Sequence, residues 1–394
     1  MIFHFIHPDR QETDVMKRAN LVFASAFAMA LALPCAALAF DATATAARLK
    51  ELGLKVDGYK EATPDTVKDA TSLPLGAAKG VTEADLEMII AIPKLTLISA
   101  NTDSALTANG FRILARGGKL TRVNLNQAAL SDESLEVIAT MPNLTEVSLV
   151  NAKGVSGAGV AKLAALKKLQ ILRLDGLSLS DDAFKGFSDH PTLMQVDINN
   201  ARGLTDKTLE YLGAMPKFAY FYAEKTGLTS AGLAHLKNPA LFGSITLDGC
   251  AVKPAELAIL ARFTGLWGLS LNETAADDSV VAAISKLPTL RQVKMRGSKI
   301  TDASLAEFAK LRELLTLDIG GSAITDAGFK GVVLPKATSL SIHRTGVTDA
   351  VLGDIVKQPA LTFANVWKTG VTKEGVARAL GERPASLPKL TLQD

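Results

Sequence analysis

Ser341, His343 and Asp318 have the side-chain types needed for nucleophilic hydrolysis. Such a set works only when the imidazole bridges hydroxyl and carboxylate and two N–H donors await the oxyanion. On a strand, residues two apart are separated by about 6.5 Å, which argues against direct contact between Ser341 and His343. His190 precedes Pro191 and His235 falls in a helical pattern, and both are expected at the surface. No Gly-rich phosphate loop, paired zinc motif or nucleotide fingerprint is present, and the scattered acids lack calcium-loop spacing. No cofactor or metal is implied. What remains is recognition chemistry: Tyr220 and Tyr222 two residues apart, and Trp367 beside Arg344 and His343. Tyr, Trp and Arg dominate binding hot spots, typically at about 2 kcal/mol or more each on truncation.

The elements that position these residues repeat. Ile300 to Ala323 reads ITDASLAEFAKLRELLTLDIGGSA, and units of the same plan begin at Val81, Leu106, Leu130, Val155, Leu179, Leu204, Leu228, Val252, Ala276, Ile300, Ile324, Val347 and Val371. Self-similarity at about 24 residues is the signature of a stacked solenoid. In each unit the first half is helical: Leu305, Phe308 and Leu311 make one buried stripe, behind Thr301 as N-cap. Thr82, Thr107, Ser131, Thr205, Thr325 and Thr348 hold the same place. Pro93, Pro142, Pro216, Pro288 and Pro359 end the helices. The second half alternates, with Leu317 and Ile319 inward and Thr316, Asp318 and Gly320 outward, the period of a strand. One strand per unit, all running the same way, makes a parallel sheet about 60 Å long with helices behind it.

These units resemble the leucine-rich-repeat family over Val81 to Leu392, and within it the cysteine-containing subtype with V/I-T-D-x-G-L units, as in exported bacterial arrays. The resemblance implies an α/β, right-handed solenoid with a parallel sheet on the concave face and helices on the convex face, binding proteins and carrying no shared catalytic residues. The family's Asn or Cys ladder position here holds Ala128, Ala152, Leu177, Ala201, Thr226, Cys250, Thr274, Ser298, Ser322, Thr345 and Thr369. Ala cannot satisfy turn groups as Thr can, so the N-terminal half is expected to be looser there. Cys250 reads as a small buried member of this row.

Two clusters face outward from the sheet. Tyr220, Tyr222 and Glu224 are flanked by Asp197 and Asp248 on neighbouring strands; Arg296, His343, Arg344 and Trp367 gather near the C-terminal end. The expectation is an exported scaffold binding another protein through these residues, with a cell-envelope glycan or small ligand on the same face as the alternative.

Composition sets the frame. The 394-residue chain carries a net charge of +3, which gives no basic field for nucleic acid. Lys17 and Arg18, an apolar run from Leu21 to Leu33 and Ala37-Leu38-Ala39 read as a signal peptide starting at Met16, with residues 1–15 an unused upstream start. The run is short of the ~20 residues of a stable membrane span. The mature product is therefore expected to be periplasmic or extracellular and monomeric. Residues 40–80 are read as an N-terminal cap, 81–370 as twelve repeats and 371–394 as a degenerate C-terminal cap. Within the first cap, Leu54 to Val56 is expected as an edge strand and the stretch through Pro64 and Pro74 as irregular. Only Cys250 would survive processing, so no intrachain disulfide is expected.

Overall fold

A computed structural model describes residues 40–77, 80–101 and 106–393. The upstream start, the export segment and Cys35 lie outside these residues. The chain winds as an open solenoid whose fourteen described strands pair in chain order, all parallel. They are β1 (Ser72–Pro74), β2 (Leu97–Ser99), β3 (Arg122–Asn124), β4 (Glu146–Ser148), β5 (Ile171–Arg173), β6 (Gln195–Asp197) and β7 (Tyr220–Tyr222), then β8 (Ser244–Thr246), β9 (Gly268–Ser270), β10 (Gln292–Lys294), β11 (Thr316–Asp318), β12 (Ser339–Ser341), β13 (Phe363–Asn365) and β14 (Thr391–Gln393). No described helix is long and apolar enough to cross a membrane.

Each strand is short because the flat part of a unit is short. Its middle residue points into the core, as do Val293, Leu317 and Leu340, which pair in register across β10, β11 and β12. Three residues after the strand the chain turns through a left-handed residue. Gln127, Asn151, Asn200, Lys225, Glu273, Arg344 and Lys368 take φ between 52° and 63° there, and Gly176, Gly249, Gly297 and Gly321 do so in the other units. Behind the sheet, helical segments bury one stripe. Leu305 and Phe308 are fully buried, and Phe218, Phe242 and Phe263 stack edge to face from unit to unit, 5.1 and 5.6 Å between centroids. Burying a side chain of this size is worth about 1.5–3 kcal/mol. Several segments are 3₁₀ rather than α, including Asp181–Phe187 and Ser230–His235, each with an internal glycine (Gly186, Gly232).

The two ends differ from expectation. Leu54 to Val56 is no edge strand: Asp57 and Gly58, with φ 51° and 79°, reverse the chain so that Val56 bridges Lys60. The stretch thought irregular supplies a helix, Pro64–Lys68, and β1, the first strand of the sheet. The Asp57 carboxylate joins the two pieces by accepting from Lys60, from the Thr71 amide and hydroxyl and from the Ser72 amide. Against its burial, these donors hold its pKa at about 2. At the other end, the Arg383 guanidinium donates to the carbonyls of Pro388, Val356 and Leu361, seating β14.

The Thr-Asp pair turns out to join units as well as to start helices. The Asp302 carboxylate accepts from the Thr325 amide (2.7 Å) and hydroxyl (2.6 Å), one unit onward. The same double bond links Asp278 to Thr301, Asp326 to Thr348 and Asp349 to Thr372. Earlier it links Asp132 to Ser156, Asp181 to Thr205 and Asp206 to Thr229. The residue three beyond the bonded Thr or Ser donates too, as Thr208 does to Asp181 and Ser304 to Asp278, or is glycine, except after Thr348, where it is Val351. A Cβ at Gly328 would lie 2.5 Å from Asp302 Oδ1 and one at Gly375 2.2 Å from Asp349 Oδ1. The glycine of the repeat therefore exists for close approach by the previous unit's carboxylate. Lys253-Pro254 stands where the next Thr-Asp is due, and the row is broken between Thr229 and Asp277.

The Ala-bearing turns are as well bonded as the others: the amides of Ala128, Ala152 and Ala201 donate to carbonyls three residues back at 2.9–3.2 Å. Thr274 and Thr345 only add a hydroxyl bond to the same carbonyl position, so the looseness expected of the N-terminal half is not found. Cys250 is buried and its thiol donates to Ala223 O. His190 is also buried, not exposed: Nε2–H donates to Leu166 O in the preceding unit and Nδ1 accepts from the Leu193 amide. Burial pushes its pKa down, so it stays a neutral pin between units.

Candidate functional site

The concave face is built from the first and third residues of each strand and from the residue at the strand end, two positions further on. Along the strand ends runs a second ladder. Asn126 Oδ1 accepts from the Val150 amide, Asp175 from Asn199, Asn199 from Glu224, Asp248 from Asn272 and Asn272 from Arg296, all at 2.8–2.9 Å. Several outward residues thus hold the backbone of the next unit. Beyond Arg296 the row contains Gly320, His343 and Trp367, and the ladder stops.

The acids around the tyrosines are engaged inside the molecule. Asp197 is 7% exposed, sits opposite Tyr222 in register, and accepts from Gln195 Nε2 and from Arg173 Nε (3.1 Å). Arg173 also pairs with Glu146 on β4. Burial raises the Asp197 pKa to about 6, Gln195 and Arg173 oppose this, and Asp175 reinforces it. Asp248 holds both the amide and the side-chain nitrogen of Asn272, and Glu224 pairs with Lys225. Tyr220 and Tyr222 are half-buried, and their hydroxyls have no hydrogen-bonded partner among the described residues.

The late cluster is more open. Trp367 is 40% exposed, with the Arg344 guanidinium 5.3 Å and the Lys368 ammonium 4.3 Å from its ring centroid. Both cations stand on left-handed backbone, a conformation that costs a side chain about 1–2 kcal/mol. The His343 ring lies over Gly320, where a Cβ would come within 2.2 Å of Cε1. Its Nδ1 is 2.9 Å from Ser341 Oγ, so the strand spacing does not keep these side chains apart as the sequence suggested. Asp318 does not complete the set: its carboxylate accepts from the Gly320 amide, and no described group accepts from His343 Nε2. Arg296 stands 3.9 Å from Glu273 in a loose pair. The structure therefore brings His343, Arg344 and Trp367 together and leaves Arg296 two strands away.

Lys368 and Trp267, which the strand period places on or beside the sheet, were not among the expected contact residues. Lys368 was legible as the left-handed neighbour of Trp367, a place held by Gly in four other units. Trp267 immediately precedes β9 and is 40% exposed on the sheet side. Open grooves of about 580 and 590 Å³ also flank the early helices, but the rims are self-paired through Arg112 with Glu133 and Arg116 with Glu87.

Geometry of this kind defines an open repeat solenoid, and its fold is the leucine-rich-repeat solenoid. No family model matches the chain and no curated protein matches it in sequence. Among solved structures, an internalin (inlF) from Listeria monocytogenes superposes with a TM-score of 0.55 at 18% identity, covering 81% of this chain and 90% of its own. Rad7, in the Rad7 and Elc1 complex of yeast, superposes with a TM-score of 0.60 at 18% identity, covering 98% of each chain.

Proposed function

We propose that the chain is an exported scaffold that binds another protein through the concave face, with periplasm or extracellular medium as its place of work. The observation that carries this reading is Trp367, exposed on the sheet face with two cations, Arg344 and Lys368, beside its ring. The contact surface comprises Arg296, His343, Arg344 and Trp367 at the late end and Tyr220, Tyr222 and Glu224 in the middle. Asp197 and Asp248 act beneath it by fixing neighbouring groups. The yeast neighbour's crystallisation with Elc1 is in keeping with a protein partner. The V/I-T-D-x-G-L pattern and the Asp–Gly approach behind it support the cysteine-containing subtype.

Cross-linking in the source cell, followed by capture of the full chain, tests the reading. Trp367→Ala with Arg344→Gly should abolish a cross-linked protein partner that the wild type retains, while the circular dichroism spectrum is unchanged. Retention of every partner by this variant and by Tyr220→Ala/Tyr222→Ala/Glu224→Ala would exclude the concave face. Mass spectrometry of the mature N-terminus tests export: a first residue at Met16 or earlier sinks it.

A further inference from the structure

Two glycines on the concave face are not explained by the backbone. Gly243 immediately precedes β8 and Gly268 opens β9, and neither has a positive φ. Equivalent places to Gly243 hold Thr in Thr96, Thr121, Thr145, Thr338 and Thr362. What glycine supplies at 243 is space for two rings: a Cβ would lie 2.7 Å from Trp267 Nε1 and 2.9 Å from Tyr220 Cε1. The indole from the β9 side and the phenol from β7 thus both close on the start of β8, which carries no side chain there. At 268 a Cβ would come 3.0 Å from Ser244 Oγ and 4.0 Å from Gln292 Oε1, so the missing side chain brings a hydroxyl and an amide close to a buried stretch of backbone.

Polar groups around these rings are unspent. Tyr220, Tyr222, Ser244, Trp267 and Gln292 make no side-chain hydrogen bond to any described residue, and none of their polar atoms is sealed from solvent. Neighbouring groups behave differently. Glu146, Arg173, Gln195 and Asp197 satisfy one another on β4–β6, and Asp248, Asn272 and Ser270 do so at the strand ends. In register, the row Tyr220, Ser244, Gly268, Gln292 crosses four strands without a charge.

We infer that this row, with Trp267, is a platform for a neutral hexose ring of an oligosaccharide. The aliphatic C–H face of such a ring stacks on an aromatic face, and its hydroxyls both donate and accept. Indole N–H, hydroxyl, amide and phenol supply that mixture with no fixed charge to select an ion. Trp367 cannot play the same part, because Arg344 and Lys368 already occupy its ring. The site shares Tyr220 with the middle of the proposed protein-contact surface and lies apart from the late end, where Trp367 carries that reading.

Trp267 and Trp367 are the two tryptophans of the chain, so in Trp367→Phe the emission reports Trp267. The full chain carrying that change is titrated with chitohexaose, cellohexaose and maltohexaose. A saturable change in emission with at least one sugar is expected, weakened about tenfold or more by Gly243→Val, which displaces both rings. Should Gly243→Val fail to fold, Gln292→Ala and Tyr220→Ala, each read at an unchanged melting temperature, should weaken binding about three- to tenfold. No saturable change with any of the three sugars overturns the assignment. So does unaltered affinity in all three variants, or saturation by a neutral proline-rich decapeptide where the sugars fail. Loss of the cross-linked protein partner in Trp367→Ala with sugar binding intact would show that the two sites are separate.

Discussion

The two edges of the sheet are built from the same residue types and behave in opposite ways. At the helix-start edge, carboxylates at a fixed place in the unit bind the amide and hydroxyl of the next unit, and between Asp278 and Thr372 this runs unbroken. At the strand-end edge, Asn and Asp side chains do similar work from Asn126 to Arg296 and then give way to Gly320, His343 and Trp367. Where the front ladder ends, the back ladder is at its most continuous. The late units can therefore spend their front positions on exposed cations and an indole because their stacking is secured behind. A periodic residue is frame, and the place where a period lapses on one edge is where the surface is free to mean something.

Breaking the back edge should have the largest effect. Asp302→Ala leaves the Thr325 amide and hydroxyl without their charged acceptor and should lower stability by about 3 kcal/mol in urea unfolding. Next, Asp197→Asn tests the buried acid. A carboxyl that titrates near 6 in the fold and near 3.8 when unfolded binds more proton folded than unfolded between those values, so wild-type stability falls as pH rises through that window. The loss is on the order of 2–3 kcal/mol, and the variant's melting temperature should lack this slope between pH 4 and 6. Asp248→Ala, on the front edge, should cost about 1–2 kcal/mol, less than Asp302→Ala because it frees one backbone amide and a side-chain amide that Ser270 still accepts from. Equal costs for the two would erase the distinction between edges. Arg344→Gly should stabilise the fold by about 1 kcal/mol by relieving left-handed backbone while weakening the partner. A gain in stability without loss of binding would mean that the strain serves no recognition.

The fold was legible because its signals recur: the Thr or Ser cap, the leucine stripe and the alternating strand return from unit to unit along the array. The N-terminal segment was misread because its turn at Asp57-Gly58 and its strand at Ser72–Pro74 are stated once, without the repeat to vouch for them. The second half of the Thr-Asp pair was visible as a letter but not as a bond, since its partner lies about 23 residues on and only stacking brings it near. Among site residues, the sequence could place Tyr220, Tyr222 and Trp367 on one face from the period alone. It could not tell that Asp197 and Asp248 are consumed by neighbours, nor that Trp267 shares Gly243 with Tyr220, because both depend on which side chains meet across strands.

The missing Thr-Asp at Lys253-Pro254 has a mechanical side. At the first step Ser230 takes the aspartate's place, its Oγ accepting from the Lys253 amide and donating to the Glu256 carboxylate. At the next step Pro254 offers Asp277 no side-chain acceptor, and the bonds from Asp248 to Asn272 and from Asn272 to Arg296 tie the front of the same units. One seam of the coil is therefore stitched along the strand ends without the matching stitch behind.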